Sequence, residues 1–261
     1  MKLLDQKETH RISALFDGWD ETMIWSCLQC YMGQAWVDCM ENPQSAQIIV
    51  GDFCFFAGVP NIELSENIPA SFQSPCILMI PQNGGWCETI ENAHKGNFDK
   101  FMRYAMKKES DIFNREKLFA FTQNLLQGYE LQKIDQRLYH SIQKSSWAKD
   151  LCSQFPTWEA YEKHGIGYVA IYNGEIVSGA SSYTVYQNGI EIEIDTHENF
   201  RRQGLALTCA SALILDCLEK GLYPSWDAAN QASVHLAEKI GYHLDREYVA
   251  YAVTAGGRYS K

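Results

Sequence analysis

The stretch best suited to chemistry is Arg201-Arg202-Gln203-Gly204-Leu205-Ala206, which lies between a predicted strand ending at Thr196 and a long predicted helix. Gly204 and Ala206 carry so little side chain that consecutive backbone N–H groups at the helix start can converge on an anion, helped by the helix dipole. The two arginines add positive charge. The segment therefore favours a pyrophosphate site, although such a glycine-containing helix start, taken alone, is also typical of a tight strand-to-helix turn.

A second motif makes the first more specific. Arg201-x-x-Gly204-x-Ala206 resembles the acetyl-CoA loop of the GNAT superfamily of acyl-CoA N-acyltransferases, and Asn230-x-x-Ser233-x-x-Leu236-x-x-Lys239-x-Gly241-Tyr242 resembles the second motif of that family. Residues 196–200 and 224–227 are further similar to the subgroup that includes zwittermicin A resistance acetyltransferases. The resemblance covers residues 128–261. It implies a GNAT fold there, acetyl-CoA as co-substrate and an amine as acceptor.

The resemblance also implies a role for each matching residue. The loop from Arg201 to Ala206 would bind the pyrophosphate, and Asn230 would contact the pantetheine arm, although Asn is also an ordinary helix N-cap. In the resembled fold the strand ending at Thr196 parts from the strand at 222–227, and backbone groups beside the gap hold pantetheine and polarise the thioester carbonyl. The cofactor-binding residues implied in this way are Ile194, Asp195, Thr196, Arg201, Arg202, Gln203, Gly204, Leu205, Ala206, Asn230 and Ser233.

The attacking amine must be neutral, so a base has to remove a proton from the bound ammonium. Acidic groups stand at the ends of the two strands, and we favour Glu193 and Asp227 as the catalytic pair, with Glu191, Asp195 and His197 as further candidates. The alternating acids at 191–195 are equally typical of a solvated sheet face. An acidic cleft would also attract a cationic amine.

One position departs from the family pattern. Where the second motif often has a Tyr after its Leu, to protonate the departing thiolate, this chain has Ala237. The hydroxyl of Tyr183 or a water could replace it. The departure leaves two interpretations open: an N-acetyltransferase acting on a small cationic amine, and a catalytically impaired acyl-CoA sensor or interaction module.

The elements that must position these residues can be read from residue 129 onward. Hydrophobic periodicity and turn signals predict a GNAT-like order, β-α-α-β-β-β-α-β-α-β. Asn173-Gly174 and Asn188-Gly189 suit tight hairpin turns, and the apolar stripe from Leu205 to Cys217 predicts a helix over about 201–220. The remaining predictions are a strand at 222–227, a helix at 231–240 and a final strand at 243–253.

The first half carries no catalytic motif. We predict a helix at 22–31, a hairpin at 46–58, a strand at 76–80, and two amphipathic helices near 97–108 and 114–127. The strand at 76–80 runs into a glycine-containing loop before a helix, which is compatible with a degenerate copy of the acyltransferase fold. The sequence thus predicts a mixed α/β (α+β) protein with an N-terminal α+β domain of unknown role at 1–127 and a GNAT-like domain at 128–261.

Composition narrows the classes of partner. The 261 residues carry a formal net charge of −10, which disfavours nucleic-acid binding. No apolar stretch is long enough to span a bilayer, and a polar run follows Met1, so we expect a cytoplasmic protein without a membrane partner. The nine cysteines indicate reduced core thiols, and Cys27-x-x-Cys30 lacks a companion pair, so we expect no metal site. The sequence does not indicate an oligomeric state.

Overall fold

The computed structural model describes residues 1–254, and the chain divides into two compact units. The first unit is Met1–Arg103 together with the chain from Glu247 onward, and the second unit is Tyr104–Arg246. These bounds differ from the 1–127 and 128–261 division, because packing assigns the last strand of the chain to the first unit. The sequence boundary stays a prediction of where the transferase domain begins.

The first unit combines a mixed sheet with short helices. Its strands are β1 (Lys2–Leu3), β2 (Gln34–Val37), β3 (Ser45–Val50), β4 (Phe53–Gly58), β5 (Cys76–Pro81) and the greater part of β6 (Phe98–Met106). Its helices are a 3₁₀ helix (Gln6–Phe16), α1 (Thr22–Leu28), α2 (Ile62–Glu66) and α3 (Gly84–Ala93). Strands β1 to β4 pair antiparallel in chain order, and β4 pairs parallel with β5. Phe56, stacked on Trp86 at 4.9 Å between ring centroids, lies in the core of this unit.

The helix predicted near 97–108 is wrong, because that stretch is strand β6. Its apolar residues Phe98, Phe101, Met102 and Ala105 follow a helical spacing, but pairing partners far away in sequence decide its conformation. The other predicted elements of the first half are present with small shifts of their ends, and the helix expected at 114–127 is the shorter α4 (Arg115–Thr122).

The second unit contains the predicted transferase elements. Its strands are β7 (Tyr129–Lys133), β8 (Gly167–Tyr172), β9 (Glu175–Tyr186), β10 (Gly189–Thr196), β11 (Tyr223–Ser225), β12 (Asp227–Ala228) and the first residues of β13 (Leu244–Thr254). Its helices are α4, α5 (Gln136–Gln143), α6 (Trp158–His164), α7 (Leu205–Glu219) and α8 (Gln231–Ile240), with 3₁₀ turns at Lys149–Leu151 and Glu198–Phe200. The sheet order is β11-β10-β9-β8-β7, with only β10 and β11 parallel. The element order predicted from residue 129 is confirmed.

Two predicted boundaries in the second unit are corrected. Helix α7 begins at Leu205 and not at Arg201. Arg202 and Gly204 adopt left-handed backbone angles (φ 64° and 84°), which a right-handed helix does not allow, so the helix can start only after them. The strand predicted at 222–227 is interrupted at Trp226, where β11 gives way to β12.

The first half repeats the element order of the second. From β1 to β6 the order is again β-α-α-β-β-β-α-β-α-β, when the 3₁₀ helix is counted as the first helix, and the parallel pair β4–β5 takes the place of β10–β11. In this alignment of elements, β5 (Cys76–Pro81) corresponds to β11. It does not correspond to β10, the strand that precedes the cofactor loop. Asn83, the N-cap of α3, then corresponds to Asn230, the N-cap of α8. The element between β4 and β5 is the five-residue α2, where the second half has the 15-residue α7.

Each final strand pairs outside its own half of the sequence. In the first unit, β13 pairs with β5, Tyr251 opposite Met79 and Val253 opposite Ile77. In the second unit, β12 pairs with the end of β6, Asp227 opposite Ala105. The two halves of the sequence therefore exchange their last strands.

Helices cover both faces of the five-stranded sheet. Helix α7 packs against β8, β9 and β10 on one face, while the 3₁₀ turn at Lys149–Leu151 packs against β9 and β10 on the other. No helix within the described 254 residues is long and apolar enough to cross a membrane.

Candidate active site

Strands β10 and β11 part after only three paired residues. Gly189, Ile190 and Glu191 of β10 lie opposite Tyr223, Pro224 and Ser225 of β11, and the chain then turns away at Trp226 to pair as β12 with the end of β6. In contrast, β10 keeps its pairing with β9 as far as Thr196. The backbone of Ile192–Thr196 thus borders a gap on the β11 side, which a linear ligand could enter.

Helix α7 begins beside the end of β10 without a side-chain cap. Among the eight α-helices of the described chain, the other seven start with a side chain that accepts a hydrogen bond from a first-turn N–H, for example Asp135 at α5 and Asn230 at α8. Gly204, the N-cap of α7, offers no such acceptor. The first-turn N–H groups of this 15-residue helix therefore receive no hydrogen bond acceptor from a capping side chain and can donate to an anion. The helix dipole also favours negative charge at this end.

The loop before α7 borders open space at Gly204. A Cβ atom built on Gly204 would have no neighbour within 4 Å, so the space next to the helix start can receive a ligand. The guanidinium of Arg201 donates from Nε to the carbonyl of Thr196 (3.2 Å), and Gln203 accepts a 2.6 Å hydrogen bond from the hydroxyl of Tyr129. Arg201, Arg202, Gln203 and Gly204 are exposed, whereas the side chain of Leu205 is buried and Ala206 is half-buried. Leu205 can thus meet a ligand only through its backbone.

The carboxylates of β10 point to the face opposite α7. Glu193 lies opposite Ser181, whose hydroxyl is hydrogen-bonded to Tyr161 of α6 (2.8 Å), and Asp195 lies opposite Gly179, which packs beneath Leu151. Side chains alternate along a strand, so Ile194 and Thr196 point to the α7 face. Glu193 and Asp195 are half-buried, whereas Glu191 is only 4% exposed. The two half-buried acids therefore share one face of the strand that borders the gap.

Burial raises the pKa of Asp195 above its usual range. Asp150 adds to the rise, while the N–H of Thr196, donated to the carboxylate at 2.7 Å, and the charge of Arg201 oppose it. A partly desolvated acid beside a cleft is a typical functional group. The sequence placed Asp195 among the backbone contacts and the further base candidates but could not single it out, because burial of one carboxylate among three alternating acids leaves no signal in the sequence.

Asp227, Asn230 and Ser233 lie at the break between β11 and β12. Asp227 is the first residue of β12 and is half-buried. Asn230 caps α8 by accepting from the N–H of Ser233 (3.0 Å), and the Ser233 hydroxyl accepts from the indole of Trp226 (3.0 Å). The N-cap alternative for Asn230 is thus confirmed, while its contact with pantetheine stays a prediction.

Ala237 is fully buried in α8, with its carbonyl accepting from the N–H groups of Gly241 and Tyr242 at the helix end. Tyr183, considered as a replacement acid, is 6% exposed and lies at a bulge of β9. No group of three or more His, Cys, Asp or Glu side chains in residues 1–254 is placed to hold a metal ion. Burial raises the pKa of Cys27 to about 12, so this thiol of the Cys-x-x-Cys pair stays protonated.

Comparisons with known proteins identify the family of this chain. A family model for GNAT acetyltransferases matches residues 13–251 and so extends over the first unit, which the two motifs did not indicate. A GCN5-related N-acetyltransferase-like protein from Streptococcus suis 89/1591 is 40% identical over 95% of this chain and 100% of its own, with a TM-score of 0.89. The uncharacterized N-acetyltransferase YdfB of Bacillus subtilis (strain 168) is 25% identical over 95% of this chain and 97% of its own.

A GCN5-related N-acetyltransferase from Kribbella flavida, 13% identical, covers 82% of this chain and 88% of its own with a TM-score of 0.53, which shows a shared fold alone. The family match spans both units, and the structure provides an uncapped helix start beside two parting strands. The chain therefore belongs to the GNAT acetyltransferase family and is an N-acetyltransferase.

Proposed function

We propose that this N-acetyltransferase moves an acetyl group from acetyl-CoA to the amine of a small cationic acceptor by direct attack. The observation that supports the donor is the uncapped start of α7 beside the gap between β10 and β11. It offers backbone N–H groups to a pyrophosphate at one end of the gap, and at the other the backbone of Ile194–Thr196, which does not pair with β11.

Each group of residues in the site would then have its own role in binding acetyl-CoA. N–H groups from Gly204 to Ala206 would bind the pyrophosphate, with the exposed Arg201 and Arg202 adding charge and Gln203 holding the loop to Tyr129. Backbone groups of Ile194, Asp195 and Thr196 would pair with pantetheine and polarise the thioester carbonyl. Asn230 and Ser233 would contact the pantetheine arm from α8. Attack by the amine nitrogen would form the C–N bond of the amide as the C–S bond of the thioester breaks, and CoA would leave as a thiolate that water can protonate.

The acceptor side is assigned to the acidic face of β10. Glu193 and Asp195 face away from α7, and Asp227 follows the break that opens the gap. A carboxylate there can take the proton from a bound ammonium, directly or through water, which frees the amine lone pair for attack. We assign this base role to Glu193 and Asp227. The concentration of acids also favours a cationic acceptor over an anionic one.

The buried Ala237 supports a second candidate, an acyl-CoA sensor that binds without turnover. Two measurements separate the candidates. Millimolar acetyl-CoA should raise the melting temperature, because a ligand that binds only the native state stabilises it. An enzyme should also release CoA thiol across a panel of amines, whereas a sensor should be stabilised without release. A melting temperature unmoved by acetyl-CoA and by desulfo-CoA would exclude both candidates.

A further inference from the structure

An aromatic cleft opens in the second unit, near the end of β10. Its volume is about 380 Å³, which is in the range of small-molecule sites. Its lining consists of four rings (Trp147, Tyr172, His197 and Phe200), two aliphatic side chains (Ile176 and Val177), the amide of Asn173 and the carboxylate of Glu175.

The four rings contact one another in a chain. Trp147 meets His197 edge-on with 5.5 Å between ring centroids, His197 meets Phe200 at 5.8 Å, and Phe200 meets Tyr172 at 5.8 Å. The first two contacts are near-perpendicular, at 82° and 68°. Rings held at such angles present both faces and edges to the cleft, which suits a rounded group better than a flat one.

Charge in the lining favours a cation. Among these eight described residues, Glu175 is the one carboxylate and none is Lys or Arg. An anionic ligand would meet the carboxylate of Glu175 and the negative faces of the rings, and a neutral ligand would gain nothing from that charge. An ammonium or quaternary ammonium group gains from both features, since aromatic faces attract cations.

The cleft is connected to the proposed transfer site by strand β10. His197 directly follows Thr196, and Trp147 lies just before the 3₁₀ turn whose Leu151 packs over Gly179, the residue opposite Asp195. Trp147 and His197, whose rings are in contact, thus join the cleft to the face of β10 that carries Glu193 and Asp195. His197 comes four positions after Glu193, which corresponds to roughly 13 Å of extended strand.

We propose that this cleft binds a second ammonium or quaternary ammonium group of the acceptor, so that the substrate is an amine with another cationic centre at its far end. The inference rests on the proposed function for the reacting amine, but the cleft itself can be tested without turnover. The rings and Glu175 hold the remote cation, and the length of the substrate places its other nitrogen beside Glu193.

The first experiment measures binding of tetramethylammonium by calorimetry at pH 8. Trp147→Leu should weaken it by roughly 2–30-fold, the range expected for an aromatic face and a cation, and Glu175→Gln should also weaken it. Trp158→Leu and Glu159→Gln are matched controls in the same unit and should bind as the parent does. Neutral tert-butanol should bind more weakly than tetramethylammonium.

The second experiment compares 1,8-diaminooctane with 8-amino-1-octanol as acceptors. The diamine should have the lower KM in the parent, and Trp147→Leu should remove that difference while leaving stabilisation by acetyl-CoA unchanged. Equal binding of tetramethylammonium and tert-butanol, or unchanged tetramethylammonium binding in Trp147→Leu, would overturn the inference. Absence of stabilisation by acetyl-CoA in a parent that still binds tetramethylammonium would instead overturn the proposed function.

Discussion

The indole N–H of Trp226 donates a 3.0 Å hydrogen bond to the hydroxyl of Ser233. Trp226 occupies the break between β11 and β12 and is only 6% exposed, and Ser233 stands in the first turn of α8. The bond therefore links the point where the strands part to one of the two helix starts assigned to the cofactor.

Ser233→Ala should lower the free energy of unfolding by roughly 1–3 kcal/mol, because it leaves a buried indole N–H without its acceptor. Trp226→Phe removes the donor, so adding Ser233→Ala to that variant should cost little more. Denaturant unfolding of the four proteins in this double-mutant cycle measures the difference. If Ser233 also contacts acetyl-CoA, its replacement will weaken acetyl-CoA binding in both backgrounds. A stability loss that is the same in both would show that the bond contributes nothing.

Gly204→Val should abolish acetyl-CoA binding, because the side chain would fill the open space at the start of α7. Any residue with a Cβ is also strained at φ 84°. Gly221→Val provides a matched control, since Gly221 has φ 68°, has equally open surroundings and lies at the far end of α7. Both variants should lose stability, while only Gly204→Val should lose stabilisation by acetyl-CoA. Equal binding by the two variants would place the cofactor elsewhere.

Glu193→Gln and Asp227→Asn should leave acetyl-CoA binding nearly intact and lower turnover by roughly 10²–10⁴-fold, the usual contribution of a general base. The loss should be largest at neutral pH and shrink as pH rises, since free amine then becomes available without a base. Steady-state kinetics against pH would measure both effects. Glu130→Gln, on the exposed edge strand β7, is the control.

Electrostatic capture gives a different result. If a carboxylate only attracts the cation, its removal raises KM with little change in kcat, and salt weakens the parent in the same way. Unchanged kcat and KM in both variants would transfer the base role to Asp195, Glu191 or His197.

Asp195→Asn should stabilise the protein at neutral pH. Burial raises the pKa of Asp195 in the folded state, so its ionised form is disfavoured there, and native stability falls as pH rises through the folded pKa. Asn keeps the carbonyl acceptor for the N–H of Thr196 without the charge. The melting temperatures of the variant and the parent should coincide below about pH 3.9, the usual Asp pKa, and separate above it. A variant less stable than the parent at pH 7 would contradict this argument.

Local signals in the sequence predicted most of the second unit. Asn230 and Gly241 mark the two ends of α8, and the Asn-Gly turns fix the hairpins of β8, β9 and β10, because these residues act on backbone angles within a few positions. Partners remote in sequence decided the rest. They make β6 a strand despite its helical spacing, bury Asp195, and turn the chain away at Trp226. The missing cap of α7 did leave a signal, since glycine stands where the other helices have a polar acceptor.

The exchange of final strands determines when the chain can finish folding. Met79 and Tyr251, its partner across β5 and β13, lie far apart in the sequence. The first unit therefore keeps an open sheet edge at β5 until β13 has been synthesised, and such long-range pairing is slow to form. A fragment that stops after β12 would expose that edge to the same strand of another molecule, so truncation should cause association between chains and not yield a smaller working enzyme.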